Sequence, residues 1–307
     1  MAAHGIHCID TGLQRPGFDA AWLIEHNGRV AFIDCGTSHA VPQMLQALAE
    51  RGLEPAAVDW LILTHVHLDH AGGAGALLAH LPNAQVLVHP RGAPHLIDPS
   101  RLIAGATAVY GEEEMARTYG VMVPVPAQRL HTADDGHTVS VGGRELQCID
   151  TPGHARHHLC VFDAQTASWF TGDTFGIAYR ELAGAQGRFI IPTSSPVQFE
   201  PDALKHSIGR LMQRQPQAMH LTHYGTVEDP APLAAALLEQ IDAMVAIGQA
   251  STPGPGRQAE LEQALTVYYG LRAEAAGIDR ALALESLSID ITLNAQGLIC
   301  WLERGQR

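Results

Sequence analysis

Apolar residues fall into short continuous runs along most of the chain and adopt helical spacing chiefly in its last third. Residues 21–25 and 30–34 are two such runs, joined by Asn27-Gly28. That dipeptide tolerates positive φ at both central turn positions, so the pair predicts a β-hairpin. Ser38 offers a cap for a helix running to about Arg51, with Gly52 as its stop. The run 60–64 (WLILT) predicts a buried strand, the Gly-rich stretch 71–81 a helix, and 85–89 a further strand. Residues 91–127 carry Pro94, Pro99, Gly105, Gly111, Gly120, Pro124 and Pro126, a content that argues against a long regular helix. Strands follow at 137–141, 144–150, 158–162 and 168–171, then a helix at 201–213 and a strand at 218–222. Residues 230–250 read as a helix, 251–256 as a break, and the remainder as two helices. Strand runs interleaved with helices predict an α/β arrangement. Its main domain is expected over 1–250, with a helical C-terminal extension over 251–307.

A chain of 307 residues with 46% apolar side chains is long enough to bury a core without disulfides or a structural metal. The formal charge of −13 and the single lysine, Lys205, argue against nucleic acid or an anionic membrane as partner. Cys8, Cys35, Cys148, Cys160 and Cys300 form no C-x-x-C pair, which predicts reduced thiols in the cytoplasm. The N-terminal residues show no basic region followed by an apolar one, and no apolar run is expected to span a bilayer. The unusual number is 18 histidines, almost matching the 19 lysines plus arginines, and it directs attention to metal ligation.

The strongest local signal is Thr64-His65-Val66-His67-Leu68-Asp69-His70, an H-x-H-x-D-H motif between a predicted strand and a predicted helix. In extended chain, His65 and His67 point the same way, while Asp69 and His70 sit where the helix begins. Neutral imidazoles with carboxylates suit zinc, iron or manganese. Three more candidates follow predicted strands: His154 in Thr151-Pro152-Gly153-His154, Asp173 in Thr171-Gly172-Asp173, and His223 in Leu221-Thr222-His223-Tyr224-Gly225. Ligands in α/β proteins gather at such strand ends.

The series THVHLDH, TPGH, TGDT and LTHYG resembles the metallo-β-lactamase superfamily, specifically its glyoxalase-II-like dinuclear hydrolases, over about residues 5 to 227. The resemblance implies an αββα sandwich of two packed mixed sheets flanked by helices, with the catalytic domain over 1–250. It implies one metal on His65, His67 and His154 and another on Asp69, His70 and His223, with Asp173 bridging. Two divalent ions are expected, zinc first, with iron or manganese also compatible. The resemblance implies hydrolysis of a small ester-type substrate, a thioester or lactone, by a metal-bridged hydroxide that Asp69 orients. Asp173 within Gly-Asp-Thr stands in the region where the cysteine-containing true β-lactamases place a cysteine at the second metal, which counts against β-lactams as the native substrate. A mononuclear iron enzyme of the persulfide-dioxygenase kind and a phosphodiesterase are the alternatives.

Asp34, in Phe32-Ile33-Asp34-Cys35-Gly36, matches an early family signature and is expected to orient a ligand imidazole or to cap a turn. Tyr224 is either an oxyanion donor or a packing residue. Residues 91–127, with Arg101 and Tyr110, are expected either to wall the substrate pocket or to form a surface helix pair making a homodimer contact. His157 and His158 open a predicted strand and so are expected to face opposite ways.

Overall fold

The computed structural model describes residues 3–184, 187–194 and 196–305, and the side chains of residues 3, 109 and 110 lie outside that description. The chain forms two compact units, residues 1–150 with 157–172 and residues 151–156 with 173–307.

In the first unit, β1 (Ile6–Asp10), β2 (Ala20–His26) and β3 (Arg29–Ile33) are antiparallel neighbours. Then β4 (Val58–Ile62), β5 (Gln85–Val88) and β6 (Leu130–Thr132) extend the sheet in parallel, so that spatial order follows chain order. The predicted hairpin forms: Trp22 pairs with Ile33, and Asn27 and Gly28 take φ of 50° and 72°. The runs are apolar throughout because both faces of the sheet are covered. Ala21, Leu23, Val30, Phe32, Leu61 and Val86 pack on one side with Met44, Leu48 and Leu77 from helices. Trp22, Ile24, Ala31, Ile33, Ile62 and Leu87 face the other way. There they meet Val141, Leu146, Val161 and Phe170 of an antiparallel meander, β7 (Thr138–Val141), β8 (Arg144–Asp150), β9 (Leu159–Asp163) and β10 (Ser168–Phe170). A one-residue slip in any central strand would exchange the two cores, so register is strongly specified.

The helices of this unit depart from expectation in three places. Thr37 caps the turn Ser38–Ala40 by accepting from His39 N, and α1 (Val41–Ala49) follows; Ser38 instead donates to Tyr119 O at 3.0 Å. The helix expected over 71–81 forms as two pieces, α2 (Leu68–Ala71) and α3 (Ala74–Leu78), parted at Gly72-Gly73. Residues 91–127 are largely helical: α4 (Ala93–Ile97), α5 (Ser100–Tyr110), α6 (Glu112–Glu114) and a π turn at Met115–Tyr119. Pro94 and Pro99 stand at helix starts, where no N–H is required, and Gly111 at φ 83° ends α5. Proline there initiates helix rather than breaking it.

Within the meander, Arg144 and Asp163 are an ion pair with both side chains buried. Arg144 Nε donates to Asp163 Oδ1 at 3.0 Å, and its Nη1 donates to His4 O at 2.6 Å. Burial pushes the Asp163 carboxyl up, but hydrogen bonds from Arg144 and Thr166 outweigh it and hold the group below the usual carboxylate range.

The second unit holds the short antiparallel pair β11 (Ala183–Gly184) and β12 (Gly187–Arg188), and the hairpin β13 (Ala218–Leu221) and β14 (Gly225–Glu228) around His223. Its described α-helices are α7 (Pro201–Met212), α8 (Pro230–Ala250), α9 (Arg257–Ala275), α10 (Arg280–Ser286) and α11 (Ser288–Arg304). Among the described residues three helices, not two, follow residue 256. Asp279 starts α10 by accepting from Leu282 N at 2.9 Å, a local cap that divides the apolar stripe. Contrary to the expectation of no spanning run, the 21 residues of α8 are long and apolar enough to cross a membrane. In this fold α8 packs on α7, α9 and α11, burying Leu237, Ile241 and Met244, while Gln240 donates to Ile190 O at 2.9 Å.

Candidate metal centre

In the first unit β4 delivers the ligand motif. His65 and His70 are fully buried, whereas His67 and Asp69 are partly exposed. His65 Nε2 lies 2.8 Å from His67 Nδ1, the His65 and His70 ring centroids are 4.0 Å apart, and His70 Nε2 is 3.6 Å from Asp69 Oδ2. One carboxylate sets the protonation of this group. Asp34, at φ 58° and buried, accepts from Thr64 N at 2.8 Å, from Thr64 Oγ1 at 2.8 Å and from His70 Nδ1 at 2.9 Å. Because the Thr64 hydroxyl proton goes to Asp34, Thr64 Oγ1 is left to accept from His65 Nδ1, 3.1 Å away. Both imidazoles then carry hydrogen on Nδ1 and present the Nε2 lone pair, the form a cation requires.

The second unit repeats the device with a hydroxyl. His154 Nδ1 lies 2.6 Å from Thr193 Oγ1, which donates on to Asp173 O at 3.4 Å. His154 therefore also presents Nε2, at 3.3 Å from Asp173 Oδ2, while His223 Nε2 lies 3.6 Å from Asp173 Oδ1. Each carboxylate oxygen faces a different buried imidazole. Thr193 is held from α11. Asn294 Nδ2 donates to Pro192 O at 3.1 Å, Asn294 Oδ1 accepts from Ser194 N at 2.7 Å, and Ser194 Oγ donates to Asn294 O at 2.9 Å. One turn on, Gly297 lets this segment lie against the helix, since a Cβ there would sit 1.6 Å from Ser194 O. The donor set, imidazoles fixed with Nε2 available beside carboxylates, fits divalent cations.

Two consequences are testable. Asp34→Asn places an amide N–H against His70 Nδ1 and turns the imidazole to the wrong tautomer, so metal affinity or rate should fall by roughly ten- to a hundredfold. Metal titration with steady-state kinetics checks this, and wild-type values in both would reduce Asp34 to a turn residue. Asn294→Ala leaves buried backbone groups at Pro192 and Ser194 without partners, at a cost of about 1–3 kcal/mol. It should lower both the melting temperature and the affinity for metal; a lowered melting temperature alone would make Asn294 a purely structural residue.

Other sequence candidates distribute unevenly. Arg101 is exposed on α5, and the side chain of Tyr110 lies outside the described residues. Tyr224 is buried, with the Arg180 guanidinium 4.4 Å from its ring centroid. His157 and His158 both lie beside His65. The strand begins only at Leu159, so alternation does not reach them, and their ring centroids lie 6.2 Å and 4.8 Å from that of His65. A cavity of about 250 Å³ opens between Leu68, in the ligand motif, and Ile103, Met115, Tyr119 and Met122. Sequence reasoning missed Thr64, Thr193 and Asn294. Thr64 adjoins the motif and was open to detection; Thr193 and Asn294 are joined only by tertiary packing.

A family profile described as the metallo-beta-lactamase superfamily matches residues 15–224. The chain belongs to that superfamily. It is accordingly an α/β metallohydrolase, with two sheets and a helical C-terminal region. A metallo-beta-lactamase fold-containing protein of Sulfurisphaera tokodaii is 25% identical over 74% of this chain and 81% of its own length. A hydroxyacylglutathione hydrolase of Aeromonas hydrophila is 29% identical, but the match spans 50% of this chain and only 45% of that relative. Among solved structures, a metallo-beta-lactamase family protein of Thermus thermophilus superposes with a TM-score of 0.69 at 19% identity, covering 98% of this chain and 94% of its own.

Proposed function

We propose that this superfamily member hydrolyses a small ester-type substrate, a thioester or lactone, with two divalent ions, zinc in the first instance. His65, His67 and His154 would hold one ion and Asp69, His70 and His223 the other, with Asp173 common to both. When bound, such ions lower the pKa of a coordinated water toward neutrality and polarise the carbonyl to be attacked. The chain's own groups do the rest. Asp34 and Thr193 keep protons on the Nδ1 atoms of His70 and His154, and Asp34 does so for His65 through Thr64. Asp69, only partly buried, takes a proton on its carboxylate from the attacking water and returns it to the leaving group.

The observation that carries this reading is the position of Asp173, whose two oxygens face His154 and His223 separately. A mononuclear site has no need of that division. The hydroxyacylglutathione hydrolase relatives favour a thioester. Five free cysteines support a reducing, cytoplasmic setting. The test is a metal titration with zinc, iron and manganese, assayed on a phenyl thioester, a lactone and an aryl phosphodiester. Turnover of the thioester or lactone that saturates at two equivalents supports the proposal. Saturation at one iron with oxygen uptake, or a preference for the phosphodiester, contradicts it.

A further inference from the structure

The apolar cavity of about 250 Å³ lies wholly within the first unit, against the ligand motif. Leu68 lines it from α2, between the ligand candidates His67 and Asp69 in the chain, and Gly72 continues that face one turn on. Met115, Tyr119 and Met122 line it from the π turn and the segment after it, and Ile103 lines it from α5. Among the described residues no charged side chain borders the cavity.

Its two sides are held differently. Ser38 Oγ donates to Tyr119 O at 3.0 Å, and His39 Nε2 lies 3.3 Å from Ala116 O. Val125 N donates to Leu96 O at 2.9 Å, and a Cβ on Gly75 would sit 2.0 Å from Val123 O, so this segment is fastened closely to α3. That side is fixed. On the other side α5 rests on α4 and the π turn, and none of its described side chains is buried. Its sequence is apolar all the same, with Arg101 its single charge. A helix of this kind gains stability from the apolar surface it covers, and α5 has such surface left to cover.

Size and chemistry limit the occupant. An apolar cavity of about 150 Å³ holds one benzene ring, whereas complete drug-sized ligands fill roughly 300–1,000 Å³. This one therefore admits part of a ligand, a ring with a few methylenes or a chain of similar bulk. An ion would shed its hydration here without a charged partner. Met115 and Met122 are unbranched and adjust to chains of different length.

We propose that the cavity between α2 and α5 receives an apolar acyl chain of the substrate, of about six to eight carbons, so that the preferred thioesters are those of medium-chain acids. The substrate part rests on the hydrolase reading; the binding of an apolar chain does not. Two measurements separate them. First, the neutral fluorophore N-phenyl-1-naphthylamine is titrated into the full-length metal-free protein and displaced with 1-octanol. Ile103→Trp, Met122→Trp and Ile103→Leu are compared with wild type; both positions are half-buried, so indole can fill the cavity without displacing the core. Wild-type binding that both Trp variants weaken by about tenfold or more, and that Leu retains, supports the pocket. Second, the zinc-loaded proteins are assayed on acetyl, butanoyl, hexanoyl and octanoyl thioesters of N-acetylcysteamine. Wild-type kcat/KM should rise by about threefold per methylene until the cavity is full, chiefly through a falling KM. Both Trp variants should flatten that rise while keeping their metal.

If octanol binds but no thioester turns over, the pocket stands and the ester-hydrolase reading fails. No probe binding, or binding and chain-length preference unchanged in both Trp variants, overturns the pocket. Loss of metal together with equal loss on every thioester also overturns it, because α5 and Met122 would then be scaffold for the centre. Absence of probe binding in a wild-type dimer that Ile103→Trp dissociates, read by sedimentation, assigns the face to a second copy instead.

Discussion

Asp173→Ala is expected to abolish turnover and strip bound metal while leaving the metal-free fold intact. The loss should be on the order of a thousandfold, or about 4 kcal/mol of transition-state stabilisation. It exceeds the effect expected for Asp34→Asn because Asp34 acts through an imidazole, whereas Asp173 faces His154 and His223 with one oxygen each. In the proposed two-ion centre a carboxylate there would offset the repulsion of the two dications, and alanine would offset none of it. His67→Ala should behave alike, since His67 Nδ1 is the near neighbour of His65 Nε2. Metal content by elemental analysis, kinetics on the best ester and the melting curve of the metal-free protein together decide the point. A variant retaining two ions and normal turnover would remove Asp173 from the centre.

The largest effect on stability should come from Arg144→Ala, which leaves the Asp163 carboxylate buried without its cation and costs about 3–5 kcal/mol. Replacing both residues, as in Arg144→Met with Asp163→Leu, should recover most of that loss, because no charge is then left to desolvate. The pair also predicts a pH dependence. Hydrogen bonds to Arg144 and Thr166 depress the folded-state pKa of Asp163. Its stabilisation is therefore complete above the unfolded carboxylate value of about 3.9 and is lost as pH falls through the lower folded value. Chemical denaturation from pH 7 downward should show a shallower acid limb in the double variant. An Arg144→Ala protein as stable as wild type at pH 7 would contradict the account.

What the sequence made legible is whatever short range controls. Asn27-Gly28 determines its hairpin through two φ angles, and the spacing of His65, His67, Asp69 and His70 places four donors on one strand-to-helix turn. The same local reading failed where position within an element mattered more than residue type. Pro94 and Pro99 look like breakers until their helix-initial positions are known, so the sequence left helix in 91–127 as one of two readings and gave no bounds for α5. His157 and His158 were assigned by strand alternation, although the strand starts one residue too late for the rule to hold. Thr193 and Asn294 lie a hundred positions apart and carry no motif. Only packing joins them, so no pattern along the chain could have paired them with His154.

The clamp from α11 has a consequence in the other direction. If Asn294 and Gly297 help to position His154 for a cation, thermodynamic reciprocity requires the bound cation to stabilise that helix by the same free energy. Loading the centre should slow amide hydrogen exchange along residues 288–304, far along the chain from the H-x-H-x-D-H motif. Metal supply would then govern how often the end of the chain opens, and with it the exposure of this polypeptide to proteolysis.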